Sequence, residues 1–177
     1  VHMMDTLDRL IEHENGKAIV WAHNTHIGDA RFTDMAAHGM TNLGQLARER
    51  YGEENVFLVG FGSYEGSVIA GEEWGAPMER MPVPRAQEGS WEEYLHNQSS
   101  EDRLILDFTE EEHEVFVHRA IGVVYNPHHE RYGNYVPTIV PHRYDAFVYL
   151  DKTQALHPMH TAFAGSAVRP DTYPFAV

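Results

Sequence analysis

Short apolar runs separated by helix signals constrain this chain more than any other feature. Lys17–Ala22, Val56–Gly62, Leu104–Phe108, Ala120–Tyr125 and Ala146–Leu150 are too short to be stable helices. They are rich in Val, Ile, Phe and Tyr, which fit a pleated backbone, so each predicts a buried strand. Helices are predicted between them. In residues 4–14, Met4, Leu7, Leu10 and Ile11 share one face, Asp5 and Asp8 sit in the first turns, and Gly16 can end the helix. Residues 42–51 follow the same logic, with Thr41 as N-cap, Leu43 and Leu46 inward and Gly52 closing. Ser90-Trp91-Glu92-Glu93 and Thr109-Glu110-Glu111-Glu112 are capping boxes, opening helices to about Asn97 and His118. Residues 67–89, with proline at 77, 82 and 84, predict a surface excursion. Asn134–Val140 adds an edge strand, since Pro137 cannot donate to a central ladder.

This alternation predicts the α/β class. The expected architecture is a three-layer α/β/α arrangement, with a mostly parallel sheet of about five or six strands and an antiparallel strand allowed at the edge. Residues 1–177 are expected to form a single domain. The 27 acidic against 13 basic residues give a net charge of −14, which disfavours a nucleic-acid or anionic-membrane partner. There is no cysteine, hence no thiolate nucleophile and no cysteine-based zinc site. No apolar run approaches a membrane span, and the chain is expected in the cytoplasm.

Ligands of open parallel sheets bind beyond the carboxyl ends of the strands. In Ile19-Val20-Trp21-Ala22-His23-Asn24-Thr25-His26, an apolar run ends by presenting two imidazoles, with Asp29 close behind. Ser63, Tyr64 and Glu65 follow the next run, and Asn126, His128, His129, Glu130 and Arg131 a later one. If the strands are parallel these sets converge, while His118 and Arg119 precede a strand and belong on the opposite rim unless the helix end brings them back. Gly62-Ser63-Tyr64-Glu65-Gly66 carries its serine one place too early for a nucleophile elbow. Gly60-Phe61-Gly62 finds its third glycine at Gly66, one place too late for a dinucleotide fingerprint. Two chemistries stay open at this point. His23 and His26 could ligate a metal, completed by Asp29, Glu65 or His128. They could instead move protons, with Glu65 orienting an imidazole. Trp74 is a candidate lining residue of a cleft.

Lys17-Ala18-Ile19-Val20-Trp21-Ala22-His23-Asn24-Thr25-His26-Ile27-Gly28 resembles the signature strand of the erythromycin esterase family, whose members include succinoglycan biosynthesis proteins. Met40–Leu46, Val59–Ser67, Arg119–Pro127 and Tyr144–Tyr149 resemble further segments of that family in the same order. The resemblance implies a three-layer α/β fold and metal-independent hydrolysis of an ester or macrolactone by histidine-activated water, without a cofactor. It matches His23 and His26 to two of the family's cleft histidines. With the residue reading above, the expected catalytic set is His23, His26 and Glu65, with Asn24, Tyr64 and Trp74 contacting a small-molecule substrate. Family members are about twice this length. The chain is therefore expected to be the C-terminal portion of a larger protein whose N-terminal half supplies the general base, and to be almost inactive alone. A non-catalytic domain binding a small ligand or metal is the alternative, and a homodimer the other expected partnership.

Overall fold

The computed structural model describes residues 2–108 and 114–157. It is α/β, as expected, but its main sheet is mixed. Four strands run in the order β2-β1-β6-β3: β1 is Val59–Ala70, β2 Glu79–Val83, β3 Arg103–Asp107 and β6 Ala146–Lys152. Among the strands of the described residues, β1 and β6 alone pair in parallel. β2 joins β1, and β3 joins β6, antiparallel at the two edges. A second sheet holds β4 (Phe116–Arg119) and β5 (Tyr135–Thr138) as an antiparallel pair. The mostly parallel sheet of five or six strands is thus corrected. The chain returns from β1 to β2 through a hairpin, where residues 67–89 predict a surface excursion. Met81 and Val83 of β2 point inward. Pro82 is tolerated because β2 is an edge strand.

β1 continues past its apolar run because it changes partner. It pairs with β6 as far as Glu65 and with β2 from Gly66 onward. Gly66 has φ +146°, and a Cβ there would fall 2.1 Å from the Thr153 carbonyl oxygen. Ser63, Tyr64 and Glu65 therefore lie within a strand rather than on a loop beyond one.

The predicted helices at 4–14 and 42–51 are α1 (His2–Glu14) and α3 (Leu43–Tyr51). The cap of α3 is Asn42 rather than Thr41, because its side chain accepts from the Gln45 N–H at 3.0 Å. Ser90 caps α4 (Trp91–Gln98) as predicted, accepting from the Glu93 N–H at 3.2 Å. The helix predicted from Thr109 to about His118 fails at its far end, since residues 116–118 are in β4. Its start lies outside the described residues. The strand predicted at Ala120–Tyr125 is irregular backbone. Asn134 takes both the Ala120 N–H and its carbonyl and so closes the β4/β5 ladder.

The remaining correction is Lys17–Ala22. This apolar run is irregular backbone in no ladder, with Ile19 96% and Trp21 87% exposed. No strand lies along it among the described residues, and a strand without a neighbour has no ladder to join. The main core gathers Leu58, Trp91, Leu95, Val140, Tyr144, Phe147 and Tyr149. Smaller clusters lie around Met81 and Tyr125 and between α1 and α3. No helix among the described residues is long and apolar enough to cross a membrane.

Candidate active site

His23 ends the exposed run and caps the one-turn helix α2 (Asn24–Ile27), its carbonyl accepting from the His26 and Ile27 N–H groups. The turn brings the two imidazoles to 6.3 Å between centroids. Three residues from elsewhere hold it. Asn42 donates its amide to the Thr25 and Gly28 carbonyls. Arg143, fully buried, donates to the Asn24 carbonyl at 3.2 Å. Gly44 of α3 lets the helix close on it, for a Cβ there would lie 2.0 Å from the Ile27 carbonyl oxygen. Burial of the ring, aided by the nearby charge of His26, holds the His23 pKa below 6.5. His23 is thus a neutral imidazole near pH 7, with a lone pair able to accept a proton.

Beside this turn lies a broad cleft of about 1740 Å³. The exposed run and His23–Thr25 form one wall, and Val56–Ser63 lies opposite. Asn24 spans the two. Its Oδ1 accepts from the Phe61 N–H at 3.1 Å and its Nδ2 donates to the Phe61 carbonyl. Leu58 of the same stretch gives its carbonyl to Ala146 of β6, so strand alternation turns the Phe61 groups away from β6. The Asn24 carboxamide fills the place of a neighbouring strand at that residue.

The other expected site residues are distributed differently. Glu65 pairs with Lys152 at 3.3 Å and Arg85 at 3.4 Å, and Lys152 leads in lowering its pKa. Tyr64 stacks on His96 at 3.7 Å, and His96 in turn meets Asp151 at 2.6 Å. Trp74 stands on the β1–β2 hairpin, 83% exposed. Asp29, a candidate for completing a ligand set, is buried against Arg31 and Arg48. His128 and His129 are exposed. Among the described residues no group of three or more His, Cys, Asp or Glu side chains could hold a metal ion.

His118 and Arg119 do not sit on an opposite rim. β4 belongs to the small sheet, and this brings His118 Nε2 to 3.3 Å from Asn24 Nδ2. His118 Nδ1 is 2.6 Å from Glu92 Oε1, and both side chains are fully buried. Arg119 pairs with buried Glu130 at 2.7 Å and donates to the carbonyls of Ser63, Tyr64 and Pro84. Sequence reasoning missed the Glu92–His118 pair. One signal was available: Glu92 lies between Trp91 and Leu95 on the inward face of its helix, where a carboxylate needs a partner.

Similarity to solved structures defines the class of fold. The chain superposes on a succinoglycan biosynthesis protein with TM-score 0.65 at 21% identity, over 81% of this chain and 35% of that one. A Bacillus cereus protein gives TM-score 0.66 at 19% identity, over 82% and 36%. Erythromycin esterase EreC, as a mutant in its open conformation, gives 0.57 at 18%, over 85% and 36%. The chain thus spans about a third of the length of these proteins. The family model for erythromycin esterase matches residues 1–153, and the chain belongs to the erythromycin esterase family.

Proposed function

We propose that this chain is part of an ester- or lactone-hydrolysing enzyme in which His23 and His26 face the scissile carbonyl. Water attacks the carbonyl carbon while a base supplied by further polypeptide takes its proton, with His23 and His26 at the carbonyl supporting that transfer. The tetrahedral intermediate then collapses, the protonated base returns the proton to the departing alkoxide, and an acid and an alcohol result. The observation that carries this proposal is His23 itself: neutral through burial, beside a second imidazole, on the wall of a cleft, in a chain of the erythromycin esterase family. Asn24 sets the turn. Glu65, paired with Lys152 and Arg85, is proposed to orient or balance the imidazoles, and Tyr64 and Trp74 to contact the substrate.

In this proposal further polypeptide covers the apolar wall of Ile19, Trp21 and Phe57 and contributes the principal base. A base of that kind is worth ~10²–10⁴-fold in rate. The proposed compartment is the cytoplasm. Hydrolysis of a macrolide and of simple esters by this chain, and by a chain extended upstream, is the test. We expect near-inactivity in the first and activity in the second, lost in His23→Ala. Normal turnover by the short chain would mean that the base lies within it. An inactive extended chain would remove the hydrolase proposal.

A further inference from the structure

The Asn24 carboxamide has one orientation that satisfies its neighbours. The Phe61 N–H can only donate, so it faces Oδ1, and the Phe61 carbonyl can only accept, so it faces Nδ2. The second Nδ2 hydrogen is left for the 3.3 Å contact to His118 Nε2, and the Glu92 carboxylate, which can only accept at Nδ1, supports an Nε2 lone pair that takes it. An accepting Nε2 puts the imidazole proton on Nδ1, where it is donated to Glu92 Oε1 at 2.6 Å. The Arg119 backbone N–H holds that carboxylate from 3.2 and 3.3 Å. The Tyr144 hydroxyl also lies 3.3 Å from Nε2. The rings of Tyr144 and Phe147 meet the imidazole edge-on and confine it.

We propose that the buried Glu92–His118 pair is the positioning element of the His23–His26 turn: it orients Asn24, which then stands in as strand partner for Phe61. The pair joins α4 and β4 to a turn that neither of them contains. Its consequence for catalysis rests on the hydrolase proposal; the positioning does not.

The Phe61 N–H reports on this directly, because its acceptor is a side chain. Amide hydrogen exchange is measured on the full chain and on three variants. Asn24→Ala removes the acceptor and is expected to speed Phe61 exchange about tenfold, the effect of losing one net hydrogen bond. His118→Phe keeps a confined ring but no acceptor, and is expected to speed Phe61 similarly while the Ala146 and Thr153 amides, bound to Leu58 and Glu65, keep their rates. Glu92→Gln still offers Nδ1–H an acceptor and is expected to stay near wild type. A wild-type Phe61 rate in His118→Phe overturns the proposal. If that variant does not fold, nitrogen NMR of the wild-type imidazole decides: a proton on Nδ1 supports the proposal and a proton on Nε2 overturns it. In a longer chain that hydrolyses esters, His118→Phe is expected to lower kcat with KM little changed, and an unchanged kcat overturns the catalytic consequence. If that longer chain is inactive the hydrolase proposal fails, and the exchange result still decides the positioning.

Discussion

Ala146–Leu150 and Lys17–Ala22 are similar runs of small, branched and aromatic residues with opposite fates. The first is the middle of β6, flanked by β1 and β3, with Phe147 and Tyr149 wholly buried. The second lies in solvent beside a cleft. Apolar side chains did not separate them; backbone partners did. A run enters a sheet only where its N–H and C=O groups find a neighbour, because burying them unpaired costs more than the side chains return. At the cleft a single carboxamide supplies what little pairing there is.

The comparison breaks most sharply at Phe147, which packs against Trp91, Tyr144, His118 and the Cβ-less surface of Gly60 and Gly62. Phe147→Ala is expected to cost about 3–5 kcal/mol in urea unfolding, the range for emptying a buried ring site. A cost near zero would mean that the core does not depend on β6. Asn42→Ala comes next, at about 1–2 kcal/mol, since it removes the α3 cap and two ties to the His23–His26 turn. Unfolding midpoints check it, and exchange at Thr25–Gly28 is expected to quicken with them.

His23 gives a smaller effect with a definite sign. Its folded pKa lies below the ordinary 6.5, so above that pH it is neutral in both folded and unfolded chains. As pH falls through 6.5 the unfolded chain takes the proton first, and the folded form loses stability. The loss levels off once the folded imidazole is protonated too. Wild type is therefore expected to fall relative to His23→Gln as the medium is acidified, and parallel curves would contradict a partly desolvated imidazole with a lowered pKa. Trp21→Ala is expected to change stability least, by about 0.5 kcal/mol or less, despite removing the largest side chain in its run. A larger loss would mean that the 5.8 Å contact with Phe61 anchors the wall of the cleft.

What was legible in the sequence was mostly local. Caps and helical spacing located α1, α3 and α4 because those signals act within a few residues. The position of His23 and His26 after an apolar run also marked them as neighbours. Pairing was not legible. Ser63, Tyr64 and Glu65 look like a loop until pairing with β6 carries the strand through them. His118 and Arg119 look like the end of a helix because the box at Thr109 favours one, yet pairing with β5 outweighs it. Glu92 and His118 lie 26 positions apart, and only the meeting of α4 with β4 makes them one pair.

Gly44 bears on how sharply the two imidazoles are located. Side chains hop between rotamers, and a site resting on them inherits that blur. Here α3 and the His23–His26 turn touch main chain to main chain, with no side chain between Gly44 and Ile27. On that side the seat of the two rings has no side-chain layer. Warming will spread their χ angles while the spacing of the α-carbons of His23 and His26 from α3 stays constant, so thermal motion reaches this site as ring rotation rather than as drift of its foundation.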